Sequence, residues 1–305
     1  MDELDRYKGC LLGLACGDAV GTTVEFRSRG QFALVTDMVG GGPFRLEPGQ
    51  WTDDTSMALC LAESLLKCGG FDPRDQMERY VRWMQEGYLS STGSCFDIGN
   101  TVRAALQAYL RTGEPYAGST DPHTAGNGSL MRLAPLPMRY AHDLEQAEWL
   151  SAKSSRTTHG AQEAVDACRL FGVMLARALR GETKESVLFE SVSGLHVDQP
   201  LAPAIAKIGV GTYRDKQMRD IRGTGYVVQS LEAALWCFYT TDTYRDAILR
   251  AVNLGDDADT TAAICGQIAG ASYGMGGIPD DWLHKLAKRD FIERIAEELH
   301  QAKAR

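Results

Sequence analysis

The residues best suited to chemistry are carboxylates and hydroxyls gathered at two points of the chain. Gly255–Thr261 reads G-D-D-A-D-T-T, with Asp256, Asp257 and Asp259 inside four residues and Thr260 and Thr261 directly behind. Aspartate and threonine cap helix starts because their oxygens accept the unpaired N–H groups of the first turn. One cap takes one side chain, whereas five oxygen-bearing side chains crowd this terminus. Carboxylates this close repel one another unless a cation or protons intervene. A set made of oxygens alone suits Mg²⁺, Mn²⁺ or Ca²⁺ rather than zinc or copper. Trp51–Met57, W-T-D-D-T-S-M, repeats the theme with Thr52, Asp53 and Asp54. Two such termini facing each other supply about six hard oxygens, enough for one or two octahedral cations that keep some waters. Ordinary capping of two unrelated helices is the competing reading, and the long separation in sequence does not choose between them.

Other polar residues carry weaker signals. Gly126, Asn127, Gly128 and Ser129 form a G-N-G-S run whose N–H groups are free to point together at an anion, as in phosphate-holding nests; alone, the tetrapeptide reads as a turn. Asp97, before Ile98-Gly99-Asn100, fits a turn or a helix cap as well as a reactive carboxylate. Glu25 alone reads as a surface or ion-paired glutamate, His159 as a helix-capping histidine, and Tyr226 as packing at a helix start. Asp18, after Gly17, reads as a structural carboxylate at a helix end or behind the acidic cluster.

The elements that must position these groups are helical. Residues 4–20 carry apolar positions at helical spacing, and Gly9, Gly13, Gly17 and Gly21 lay a bare stripe on one face, so a second backbone is expected to pack very closely there. Arg27–Gly49 is a glycine-rich loop. A helix through Lys67 follows W-T-D-D, closed by Gly69-Gly70. Helices are expected at Arg74–Glu86, from a cap at Asn100-Thr101 through Leu110, at Leu144–Ser155, Ala161–Leu179, Val227–Tyr239 and Thr243–Asn253, with one or two more in Asp281–Lys303. Helix-like pieces fall near 184–192 and 203–210, and loops at Ser90–Gly99, Asp121–Pro137 and Gly211–Gly225. No strand alternation, fixed-period repeat or low-complexity linker appears. The expected fold is one all-α domain over residues 1–305.

Composition bounds the rest. The chain has 305 residues, 44% hydrophobic and 24% charged, as in soluble globular proteins. A formal charge of −8 argues against nucleic acid as the principal partner. No apolar run is long enough to span a bilayer, and M-D-E-L-D-R-Y-K is too charged for a signal peptide. Eight scattered cysteines without metal-ligand spacing read as reduced core thiols. The expectation is a cytoplasmic protein.

Several separated motifs together resemble one family, the ADP-ribosylglycohydrolases, and within it the dinitrogenase-reductase-activating glycohydrolase type that removes ADP-ribose from arginine. They are L-G-L-A-C-G-D-A-V-G-T-T-V-E-F (12–26), G-Q-W-T-D-D-T (49–55), A-G-N-G-S-L-M-R (125–132), T-H (158–159), G-Y-V-V (225–228) and D-A-D-T-T (257–261), spanning nearly the whole chain. The resemblance implies a compact all-α fold with two Mg²⁺ (or Mn²⁺) ions in a central ADP-ribose cleft. Thr52, Asp53 and Asp54 would form one metal group and Asp257, Asp259 and Thr260 the other, with Asp259 bridging. Glu25 would sit at the metal edge and Asp97 face the scissile bond and the guanidinium. Gly126–Ser129 would cradle the diphosphate, His159 and Asn100 contact ligand, and Tyr226 cover the adenine. Two departures stand out: Asp256 where glycine is common, and Gln229 where aspartate is common. The implied partner is an arginine-linked ADP-ribosylated protein, the favoured state a monomer. Competing functions are hydrolysis of serine-linked or O-acetyl-ADP-ribose, and a non-catalytic ADP-ribose-binding or structural member.

Overall fold

The computed structural model describes residues 1–196 and 199–302. The helices in chain order are α1 (Glu3–Gly21), α2 (Asp53–Lys67), α3 (Pro73–Glu86), α4 (Asn100–Thr112), α5 (Pro135–Arg139), α6 (Leu144–Arg156) and α7 (Gln162–Leu179). They continue with α8 (Lys184–Phe189), α9 (Pro203–Gly209), α10 (Val227–Tyr239), α11 (Tyr244–Val252), α12 (Ala258–Tyr273), α13 (Asp280–Lys285) and α14 (Arg289–Gln301). Among the described residues no strands form beyond isolated bridges such as Gly41↔Leu46. The all-α expectation holds, and among the described residues no helix is long and apolar enough to cross a membrane. Two local readings need correction. Residues 135–137, expected in a loop, open the short helix α5, because Pro135 at a first helical position forfeits no hydrogen bond. The cap of α4 is Gly99 rather than Asn100, which is its first helical residue. The helical tail expected from Asp281 runs to Lys303, and that last residue lies outside the described residues.

The core is built around α12, which packs against α1, α10, α11, α7 and α2. Its Ala258–Ala271 stretch is buried on every side, which suits a sequence of alanines, glycines and small polar residues. The glycine stripe of α1 faces it. A Cβ on Gly13 would stand 2.4 Å from the Gly266 carbonyl oxygen, and one on Gly17 2.3 Å from that of Ala262. Gly266 and Gly270 answer from α12, where a Cβ would meet the carbonyl oxygens of Gly13 and Gly9 at 2.1 and 1.9 Å. No side chain fits between the two backbones, so the register of α1 on α12 is set without adjustable rotamers. The stripe ends at Gly21, whose Cβ would lie 2.4 Å from the Asp259 Cα. This close helix contact therefore ends at the acidic cluster. Six of the eight free cysteines are buried; Cys68 is exposed and Cys95 half-buried.

Candidate active site

The two acidic helix termini meet. Thr52 occupies the N-cap of α2 and Asp257 that of α12, and the positive end of each helix dipole favours carboxylates in its first turn. Thr260 Oγ1 donates to Asp54 Oδ2 across the junction at 3.3 Å, and Thr52 Oγ1 reaches the same oxygen at 3.2 Å. Asp18, from α1, ties the junction together. Its carboxylate accepts from the N–H of Thr52 (2.9 Å) and Thr55 (3.1 Å) and from the hydroxyls of both (2.9 and 2.6 Å). It thus caps a helix to which it does not belong. Glu25 does the same for α12, accepting from Ala258 N at 2.9 Å. The loop carrying Glu25 is fastened by Phe26 N donating to Asp256 O and Asp256 N to Arg27 O. Carboxylate oxygens of Asp18, Asp54 and Asp259 lie within 4.8 Å of one another, as do those of Glu25, Asp257 and Asp259. Asp259 belongs to both groups.

This much buried acid has no internal counter-charge, since no Lys or Arg pairs with these groups among the described residues. Burial, reinforced by Asp259, pushes the Asp18 and Asp257 carboxyls up to about 7. Burial and their neighbours also raise Asp53, Asp54 and Glu25 well above the ordinary carboxylate range. Asp54 Oδ1 and Asp259 Oδ2 are buried with no hydrogen-bond partner. Orphaned buried carboxylate oxygens are costly, and a hard divalent cation is the partner their chemistry fits.

Above the cluster opens a cleft of about 870 Å³ lined by Glu25, Asp53, Asp97, Asn100, Asp257 and Thr260, among others. Asp97 sits at φ 60°, a left-handed conformation uncommon for a residue with a side chain. Burial, then repulsion from Asp53 and Asp259, moves its carboxyl up to about 11. Phe26, Phe44 and Phe96 form a row of edge and tilted ring contacts beside it, at centroid distances of 6.3 and 5.3 Å. Asp256, also on the wall, is half-buried rather than turned fully outward.

The Gly126–Ser129 wall differs in detail from the sequence reading. Neither Gly126 nor Gly128 takes a positive φ, so the alternating backbone of an anion nest is not adopted. The glycine is needed for another reason: a Cβ on Gly128 would stand 2.8 Å from His159 Cε1. His159 is buried against this wall, and burial lowers its imidazole to about 3, so it is neutral. The Asn127 amide donates to Asp257 Oδ2 (2.7 Å) and Ser230 Oγ (2.9 Å), so it orients an acid of the cluster. Ser129 turns its hydroxyl inward to Ser155 Oγ at 2.9 Å. Tyr226 stands at the rim outside the cleft lining, its hydroxyl donating to Glu163 at 2.6 Å. Gln229, at the second departure, accepts from Thr224 Oγ1 and so steadies the loop before Tyr226.

Comparison with known proteins agrees with this architecture. A model of the ADP-ribosylglycohydrolase family matches residues 1–305. The chain is 49% identical over 296 residues to the "ADP-ribosylarginine hydrolase Tri1" of Pseudomonas putida (strain GB-1), covering 97% of this chain and 78% of that protein. It is 34% identical over 289 residues to the "ADP-ribosyl-[dinitrogen reductase] glycohydrolase" of Rhodospirillum rubrum, covering 92% and 90%. A solved structure described as "ADP-ribosylglycohydrolase-related protein complex" superposes with a TM-score of 0.88 at 44% identity, covering 99% of both chains.

Proposed function

The chain belongs to the ADP-ribosylglycohydrolase family, and from that premise we propose that it hydrolyses the N-glycosidic bond between ADP-ribose and an arginine side chain of a modified protein. The observation that carries the reading is the junction of the two acidic helix termini beneath the cleft, with two carboxylate oxygens left without a donor. Thr52, Asp53, Asp54, Asp257, Asp259 and Thr260 are the residues that would hold divalent ions, Mg²⁺ or Mn²⁺, with Asp18 close enough to share in them. When bound, such ions supply a grip on vicinal ribose hydroxyls and acidity to a water.

The remaining work falls to the chain's own groups. Breaking the bond at the anomeric carbon passes through an oxocarbenium-like state, and the leaving nitrogen must acquire a proton. Asp97 is disposed to carry a proton, because its carboxyl is raised first by partial burial and then by the neighbouring acids. It donates that proton to the departing guanidine nitrogen, and the resulting carboxylate pairs with the guanidinium in two-point geometry. Glu25, held against the start of α12, orients the incoming water or takes its proton. Gly126–Gly128 and His159 form the wall for the rest of ADP-ribose, with Asn100 also lining the cleft and Tyr226 at the rim.

The test is incubation of the purified chain with arginine-, serine- and O-acetyl-linked ADP-ribose, with and without EDTA. Release from arginine that EDTA abolishes and Mg²⁺ or Mn²⁺ restores is the expected result. Release from the other linkages only, or indifference to EDTA, refutes the assignment.

A further inference from the structure

Arg132 lies four residues beyond Gly128 and is completely buried. Its guanidinium meets only neutral groups. Nη1 donates to the Gly128 carbonyl at 3.0 Å and lies 3.9 Å from Met57 Sδ. Nη2 donates to Thr158 Oγ1 at 2.7 Å and reaches Thr157 Oγ1 at 3.4 Å. The group stands 4.6 Å from the centre of the Tyr80 ring, and Nε has no partner. Among the described residues no carboxylate pairs with it. The same molecule shows how a buried arginine is otherwise handled: Arg169 is met by Glu148 at 2.6 Å and Asp166 at 2.9 Å. A buried charge without a partner is costly, and an apolar residue of similar volume is often tolerated in its place. Structural need alone does not account for keeping a bare cation here.

Its contacts lead to His159. Arginine can only donate, so the Thr158 oxygen accepts from Arg132 and its own proton needs another acceptor. His159 Nδ1, 2.9 Å away, is the acceptor available to it. The satisfied arrangement leaves Nδ1 bare and puts the imidazole proton on Nε2. That nitrogen has no protein acceptor among the described residues and sits beside Gly126 and Gly128, where added Cβ atoms would approach it to 3.4 and 3.2 Å.

We propose that Arg132 is a positioning residue for the anionic part of the ligand: through Thr158 it fixes His159 as an Nε2–H donor toward the cleft, and its unneutralised charge makes that wall attractive to a phosphate oxygen. The inference rests on the reading of the cleft as an ADP-ribose site. A diphosphate ester offers the acceptors that an Nε2–H and a nearby buried cation select, whereas a neutral ligand gains nothing from the cation.

The experiment uses the full chain labelled with ¹⁵N-histidine, together with ADP-ribose titration calorimetry in Mg²⁺. The wild-type His159 ring shows a protonated Nε2 and an unprotonated Nδ1 from pH 6 to 8. Thr158→Val abolishes that fixed pattern while Thr158→Ser keeps it. Arg132→Met weakens ADP-ribose binding by about tenfold or more, and Arg132→Lys recovers part of the loss. With arginine-linked substrate the loss falls on KM rather than kcat. A wild-type ring protonated at Nδ1, or a folded Arg132→Met that binds ADP-ribose as well as wild type, overturns the proposal. If Arg132→Met does not fold, the Thr158 pair decides: equal ring patterns and equal affinity in the two variants overturn it. Failure of wild type to hydrolyse arginine-linked substrate refutes the proposed function instead, and leaves the ring pattern and ADP-ribose affinity to judge Arg132.

Discussion

Asp97 and His159 show how single side chains here are held in states they would not choose in water. Asp97 combines a left-handed backbone with a half-buried carboxyl surrounded by other acids, a costly arrangement that persists when function requires it. Asparagine tolerates the same backbone and carries no charge. Asp97→Asn is therefore expected to raise the melting temperature by a few degrees while lowering kcat on arginine-linked ADP-ribose by about a hundredfold or more. Calorimetry and steady-state rates check both halves, and retained activity would remove Asp97 from the chemistry. His159 gives a pH effect of definite sign. Its folded value of about 3 lies below the ordinary value near 6.5, so the unfolded chain takes up the proton first. The stabilisation is whole above pH 6.5 and drains as the pH falls toward 3. In His159→Gln the loss of stability between pH 6 and 4, followed by urea unfolding at each pH, should be shallower than in wild type.

At the scale of elements, the α1–α12 pair acts as a ruler whose far end is packing and whose near end is the acidic cluster. Gly270→Ala drives a methyl into the Gly9 carbonyl, and Gly21→Ala drives one into the Asp259 backbone. Both should destabilise by about 3 kcal/mol, since neither backbone can yield cheaply. Only Gly21→Ala should also weaken Mn²⁺ binding, by about tenfold, because it displaces a carboxylate rather than a helix end. Titration calorimetry on both variants separates the effects, and equal metal affinities would mean that the helix contact does not set the site. This contact was legible in sequence, because glycine at every fourth position costs a helix stability and leaves a groove that only another backbone fills well. The two T-D and D-x-D-T helix starts were legible as candidates too, and the resemblance to a family supplied their pairing. What sequence could not show was partnership between distant residues. Asn127 serving Asp257, Ser129 turned to Ser155, and Gly128 making room for His159 all depend on where separate helices come to rest. A G-N-G-S string looks the same whether it cradles an anion or clears space for a ring.

For the molecule as a whole, the balance between its acids and the ions expected to neutralise them should govern stability. Without metal, the carboxyls of Asp18, Asp53, Asp54, Asp257 and Glu25, raised chiefly by loss of solvent, are more protonated in the folded chain than in the unfolded one. Groups whose folded values are raised stabilise fully below the ordinary carboxylate range, and that contribution is lost as pH rises through their folded values. Asp18 and Asp257, both near 7, place much of the loss between about pH 4 and 8. The EDTA-stripped protein should therefore melt at progressively lower temperature from pH 5 to pH 8. A divalent cation replaces the protons and competes with them, so its stabilisation should grow with pH, reaching about 2.7 kcal/mol at a hundredfold excess over Kd. Melting curves at pH 5, 6.5 and 8, each with EDTA, Mg²⁺ or Mn²⁺, provide the measurement. A metal-induced shift that is flat across that range, or larger at pH 5 than at pH 8, would show that these carboxylates are not where the ion binds.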